Sequence, residues 1–196
     1  MDLSELLSVE RIRCQCNVQS RKRALQTLAE LLSNSLCAPE DDPEQDADEP
    51  PEANGALGSL ASKLLKNRPK ADEDVEKGTL SEMAILDAFI ARERLGSTSL
   101  DHGFALPHSR IGSIDKPIAA LITLEQGIEY SPGDKQPVDL VLGLLVPEEC
   151  NDEHLKILAN LARRFNESSF RENLRNFSQS ADLYDYLSTS AQADSS

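Results

Sequence analysis

With 196 residues and a net charge of −14, the chain is long enough to bury one sizeable core, and it lacks the surface-wide positive field that nucleic-acid binding requires. Hydrophobic residues make up 39% of it and aromatics only 4%, with no Trp, so the core is expected to be built from Leu, Ala, Ile and Val. No apolar stretch approaches the length of about 20 residues that a membrane span needs, and Met1-Asp2-Leu3-Ser4-Glu5 lacks the basic and then hydrophobic run of an export signal, so a cytoplasmic protein without membrane insertion is expected.

Near the start, Cys14 and Cys16 would share one face of a strand, which leaves a metal or redox pair open. Together with Cys37 and Cys150 they are too scattered for a zinc pattern and too few to staple a domain of this size, so reduced thiols are the plainer reading. Residues 20–36 place Leu25, Leu28, Ala29, Leu32 and Leu36 on one helical stripe, with Ser20 as the N-cap. The first turn of that helix, Arg21-Lys22-Arg23, opposes the macrodipole; it reads either as a solvated basic face or as a docking patch for an acidic partner.

Residues 38–78 then carry twelve acids and five bases, half of the total charge imbalance. The run Glu40 to Glu52 cannot bury enough apolar surface to offset its ordering entropy, so disorder is expected there. Leu57, Leu60, Ala61, Leu64 and Leu65 recur at helical spacing, predicting a short helix over 57–67 before Pro69.

A stronger helix is predicted over 80–95, opened by a capping box of Thr79 with Glu82 and closed by Gly96, with Leu86, Phe89 and Ile90 facing inward. Arg92 and Arg94 fall in its last turn, where a cation complements the helix dipole without any ligand. After Ser97-Thr98-Ser99 comes Gly103-Phe104-Ala105-Leu106-Pro107-His108. Pro107 lacks an N–H, so the apolar run is predicted to end as a strand there and to deliver His108 to the sheet's rim, where α/β folds collect their chemistry. A neutral imidazole, with a pKa near about 6.5, can attack phosphorus, carry the group and release it. Taken alone, a histidine after proline also reads as a satisfied turn residue.

Residues 117–124 and 138–146 read as strands, the second so continuously apolar that it belongs at the sheet's centre, with Ser131-Pro132-Gly133-Asp134 as a turn between them. Pro147 ends the central strand. Asn151-Asp152-Glu153 begins a helix whose apolar stripe is expected at Leu155, Leu158, Ala162 and Phe165, with His154 bordering it in the first turn. A helix N-terminus beyond a central strand favours anions, so His154 would face the same pole as His108 if the strands there run parallel. Two histidines and one arginine would then converge.

The stretch ARERLGSTSLDHGFALPH, Ala91 to His108, resembles the phosphorylation-site segment of the type-2 enzyme IIA domains of the bacterial phosphoenolpyruvate phosphotransferase system. QPVDLVLGLLVPEECNDEHLKILANLARRF, Gln136 to Phe165, is similar to the same domains, and Gln19-Ser20-Arg21-Lys22-Arg23-Ala24-Leu25 looks most like their nitrogen-regulatory branch. The resemblance implies a single α/β domain, a mixed β-sheet flanked by helices on both faces, over residues 2–188, interrupted by the acidic insert at 38–78 and followed by a flexible tail at 189–196. It implies a phosphohistidine carrier with His108 as the nucleophile, phosphorylated at its tele nitrogen, Arg92 as the active-site arginine and His154 as the second active-site histidine. Phosphate would come from an HPr-like (NPr) phosphocarrier protein, and the phosphorylation state would regulate cytoplasmic partners concerned with nitrogen or potassium. Arg92 can offer a bidentate fork to phosphoryl oxygens, and Ser97 or Thr98 could add a hydroxyl; no metal and no cofactor is needed.

The chain departs from the pattern at Asp101-His102, where the nitrogen branch usually has Gly-Asn, and at Ser109, where Gly or Ala is common. Asp101 beside the site would repel a dianionic phosphate and His102 would offset it. Besides the regulatory carrier, two readings stand: a sugar-specific IIA subunit that passes phosphate to a separate transporter component, and a binding module that has lost transfer.

Overall fold

In the computed structural model, which describes residues 3–37, 80–149 and 152–193, the chain forms α1 (Leu3–Leu6), a 3-10 turn (Val9–Arg11), β1 (Ile12–Cys16), α2 (Arg21–Cys37), α3 (Glu82–Arg94), β2 (Ser99–Leu100), β3 (Phe104–Ala105), β4 (His108–Ile111), β5 (Ile118–Ile128), β6 (Val138–Pro147), α4 (Asp152–Asn166), α5 (Ser168–Asn176) and α6 (Ser180–Ala193). The apolar run of β6 forces it inside: Leu140, Val141, Leu142, Leu144, Leu145 and Val146 are all fully buried. It pairs antiparallel with β5 on one edge and parallel with both β3 and β4 on the other. β1 lies parallel on the far edge of β5 and β2 antiparallel on β3, completing a mixed six-stranded sheet.

Side chains alternate across the sheet with period two. Val141 and Leu145 point to α2 and α3, where they meet Leu25, Leu28, Leu32, Ile85 and Phe89. Leu140, Leu142, Leu144 and Val146 point the other way, to Ile157, Leu161 and Phe165 of α4, Phe170 and Leu174 of α5, and Leu183 and Leu187 of α6. Helices therefore cover both faces, as expected. Phe165 joins the second layer by stacking on Phe104 at 4.0 Å and receiving Phe170 edge-on at 5.3 Å. Each such side chain contributes about 1.5–3 kcal/mol on burial. Gly143 lets α2 and α3 approach the sheet, since a Cβ there would lie 3.1 Å from Leu28 Cδ1 and 3.2 Å from Phe89 Cζ.

Several local expectations are corrected. Ser20 does cap α2, its hydroxyl accepting the Arg23 N–H at 3.4 Å. The α3 cap, however, is Ser81, which accepts the Ala84 N–H at 3.2 Å, so the helix starts at Glu82; Thr79 lies outside the described residues. Strand pairing does not end at Pro107. It skips two residues and resumes at His108 in the same register against β6, from Ala105↔Val141 to His108↔Leu144. Cys14 and Cys16 do not share a face: a bulge between Arg13 and Cys16, with Gln15 at φ 49°, inserts one residue and sends Cys16 to the α2/α3 layer and Cys14 to the other. Both are free thiols, and burial pushes Cys16 up to about 11 and raises Cys14 as well. On α4 the buried row is His154, Ile157, Leu161 and Phe165, while Leu155 is 63% exposed. α6 continues to Ala193, past the boundary at 188 where the tail was expected. The predicted insert at 38–78 and its helix over 57–67 lie outside the described residues. Among the described residues no helix is long and apolar enough to cross a membrane.

Candidate functional site

The site grows out of the break in the β3–β4 edge. What is missing from the ladder there is only the N–H that Pro107 lacks: the Leu106 N–H faces the β2 side and donates to the Thr98 carbonyl at 3.0 Å, and the Pro107 carbonyl still accepts the Leu144 N–H of β6 at 2.9 Å. The Leu106 carbonyl is thereby free to meet the ring of His108, whose Nδ1 lies 2.9 Å away. A carbonyl only accepts, so Nδ1 carries the proton and Nε2 carries the lone pair. The other side of the ring agrees with this tautomer, because Arg92 Nε–H donates to His108 Nε2 at 3.1 Å. Arg92 reaches there from the last turn of α3, with Nη1 held on the Gly96 carbonyl at 3.0 Å.

His154 completes the group from the first turn of α4, which follows β6. Its ring centroid is 5.7 Å from that of His108 at an interplanar angle of 53°. It is 6% exposed, and its Nδ1 has no hydrogen-bond partner among the described residues. The expected convergence of Arg92, His108 and His154 is thus present in the geometry. They line an open cleft of about 580 Å³ with Ala88, Ala91, Leu95, Ser109 and Arg110. Among the described residues that line it none is a carboxylate, and Arg92 and Arg110 give this lining a positive character on a strongly acidic protein.

Burial holds the His108 imidazole below its ordinary value, and the Arg92 guanidinium acts in the same direction against the Leu106 carbonyl. His154 is lowered first by burial, then by the neighbouring His108, Arg110 and Arg92. Both rings are therefore neutral at physiological pH, which leaves Nε2 of His108 a nucleophile. Two guanidiniums beside two imidazoles favour an anion over a metal cation, and among the described residues no third metal-ligating side chain joins the histidines.

Ser97 and Thr98 do not join the cleft. The Ser97 hydroxyl accepts the Ser99 N–H at 3.2 Å, and the Thr98 hydroxyl, in a residue 6% exposed, is bonded to the Glu93 carboxylate. Asp101 and His102 lie at the far end of the sheet. Asp101 pairs with Lys135 at 3.3 Å, and the His102 carbonyl accepts from Arg175 at 3.0 Å. The neighbouring Phe104 is opposite Leu140 whereas His108 is opposite Leu144, and four strand residues span about 13 Å. Asp101 is consequently too distant to repel a group on His108. Arg110 went unnoticed in the sequence although the signal was there, since strand residues two apart share a face.

The model of the family described as phosphoenolpyruvate-dependent sugar phosphotransferase system, EIIA 2, matches residues 54–190. A nitrogen regulatory protein of Pseudomonas aeruginosa is 37% identical over 128 residues, covering 65% of this chain and 77% of that protein. A fructose-specific EIIA component of Haloferax volcanii is 32% identical over 104 residues, 53% of this chain and 68% of that protein. Among solved structures, nitrogen regulatory protein IIA-Ntr from Neisseria meningitidis superposes with a TM-score of 0.68 at 26% identity, covering 94% of this chain and 98% of that one.

Proposed function

This chain belongs to the EIIA type-2 family of the phosphoenolpyruvate-dependent sugar phosphotransferase system, and on that premise we propose that it is a cytoplasmic regulatory phosphoryl carrier of the nitrogen-regulatory branch, charged on His108 Nε2 by an HPr-like phosphocarrier. The observation that carries this reading is the His108 ring held between the Leu106 carbonyl at Nδ1 and Arg92 at Nε2, because it leaves one nitrogen, with its lone pair, facing a positive cleft.

The step is an in-line displacement. His108 Nε2 attacks phosphorus, the new N–P bond forms as the donor's N–P bond breaks, and the donor imidazole leaves with its electron pair. As Nε2 gives up its lone pair the ring becomes cationic, and the Leu106 carbonyl accepting from Nδ1–H stabilises that charge. Arg92 releases Nε2 and turns its fork onto the equatorial phosphoryl oxygens, while His154 and Arg110 face the same oxygens from the α4 and β4 sides. Phosphorylation adds nearly two negative charges to a positive cleft. That reversal is what nitrogen- or potassium-related partners would read.

The domain reading belongs here too: one EIIA domain over residues 2–188, extended through α6, with 38–78 as an insert peripheral to transfer. The Haloferax volcanii relative, a fructose-specific component by name, favours a second reading in which phosphate passes on to a separate transporter subunit. Incubation with phosphoenolpyruvate, enzyme I and the HPr-like carrier should give an acid-labile, base-stable adduct. Label that survives in His108→Ala sinks the assignment, and onward transfer to a sugar-specific IIB subunit would select the second reading.

A further inference from the structure

Glu93 follows Arg92 in sequence but turns into the core, its side chain only 3% exposed. A carboxylate withdrawn from water is costly unless partners replace its hydration, and Glu93 has them. It accepts the Thr98 N–H at 3.2 and 3.4 Å on its two oxygens, the Thr98 hydroxyl, and the Tyr130 hydroxyl at 3.3 Å. Arg21 lies 3.9 Å away and 5.9 Å from the centre of the Tyr130 ring. The basic first turn of α2 thus supplies one of its charges inside the molecule. Burial, and then the Glu93 charge, raise the Tyr130 hydroxyl well above the ordinary range, so it stays a donor.

Two hydrogen-bonded paths lead from Glu93 to the two nitrogens of His108. The carboxylate fixes Thr98, whose carbonyl accepts the Leu106 N–H at 3.0 Å; the Leu106 carbonyl then accepts His108 Nδ1–H at 2.9 Å. A second path runs through the main chain and does not involve the Glu93 side chain: the Glu93 backbone carbonyl accepts the Gly96 N–H at 3.3 Å, the Gly96 carbonyl holds Arg92 Nη1 at 3.0 Å, and Arg92 Nε meets His108 Nε2 at 3.1 Å. The loop between α3 and β2 is therefore pinned at both ends by one residue.

We propose that Glu93 is the positioning residue of the site: through its carboxylate on Thr98 it sets the tautomer and the orientation of His108, without touching the phosphoryl group. The inference rests on the reading of His108 as the acceptor. Its test pairs single-turnover phosphorylation by the HPr-like carrier with nitrogen-15 NMR of the His108 ring, in wild type, Glu93→Ala, Glu93→Gln and Thr98→Val. Glu93→Ala is expected to lower the maximal rate on the order of 10²-fold, as for a small misplacement of reacting groups, with an unchanged KM for the carrier and with the ring passing from one tautomer to a mixture. Glu93→Gln, whose amide oxygen still accepts from Thr98, is expected to restore both readouts. Thr98→Val keeps the core filled and should shift both in the same direction by less, which supplies the test if Glu93→Ala does not fold. A lowered melting temperature with wild-type rate and a single tautomer would overturn the proposal. If wild-type protein takes up no phosphate, the carrier reading falls, while the tautomer comparison still decides the role of Glu93.

Discussion

Replacing Arg92 with Ala removes two opposed contributions. In the resting protein the guanidinium occupies the lone pair of the nucleophile through Nε at 3.1 Å, and losing that contact alone would favour attack. In the proposed transition state the same group would present two donors to the equatorial oxygens. At about 1.5–3 kcal/mol for each charge-assisted bond, one such bond remains as the net loss. That difference lowers the rate of the chemical step roughly 10- to 150-fold. Arg92→Lys keeps the charge without the fork and should fall between the two. Rapid-quench single turnover from radiolabelled phosphorylated carrier, at saturating carrier, measures the step directly. The Gly96 contact and the helix-end charge are lost as well, so a stability loss of about 0.3–1 kcal/mol should appear in the thermal melt. A rate for Arg92→Ala indistinguishable from wild type would refute the reasoning and leave Arg92 a helix-end cation.

Because burial holds both histidines low, the transfer rate should stay level as pH falls through the ordinary imidazole value of about 6.5 and decline only below it; a pH–rate profile with its midpoint at the ordinary value contradicts this. Over the same interval the unfolded chain binds protons before the folded one, so stability falls as pH drops from about 6.5 to the lowered folded-state values and then levels, which chemical denaturation at a series of pH values checks. His154→Gln should slow transfer about tenfold, one charge-assisted hydrogen bond's worth, with an unchanged melt; an unaltered rate would remove His154 from the site. Gly143→Ala pushes a methyl onto Leu28 and Phe89 and should cost about 1–3 kcal/mol by urea titration. Replacing residues 38–78 with a flexible linker of about ten Gly and Ser residues should preserve phosphorylation, and failure to fold would make the insert part of the domain.

What the sequence made legible follows from how strongly burial constrained it. The run from Val138 to Val146 had to be central because both its faces are apolar, and the stripe of Leu25, Leu28 and Leu32 had only one face to bury. His108, Arg92 and His154 were readable since a strand rim and two helix ends fix where their backbones go. The bulge at Gln15 was not, because its N–H is satisfied by the Thr123 hydroxyl at 2.8 Å, 108 residues away in sequence. Ser81 and Thr79 are near-equal caps locally, and only packing chooses between them. Leu155 and Ile157 are equally apolar, so the buried row on α4 depended on where the sheet lay. Thr98 looked like a phosphate donor because nothing local reveals that the residue after Arg92 points inward and takes its hydroxyl.

The resumption of pairing at His108 in the register left at Ala105 has a mechanical consequence. If His108 is the carrier proposed above, its backbone, paired with the strand at the centre of the core, cannot travel on phosphorylation without dragging β6 and both packed layers with it. On that reading the loaded and unloaded proteins would have nearly the same backbone shape. Whatever distinguishes them has to do so by electrostatic fit against one fixed surface, so discrimination should weaken as salt rises, while a partner that senses shape would ignore it.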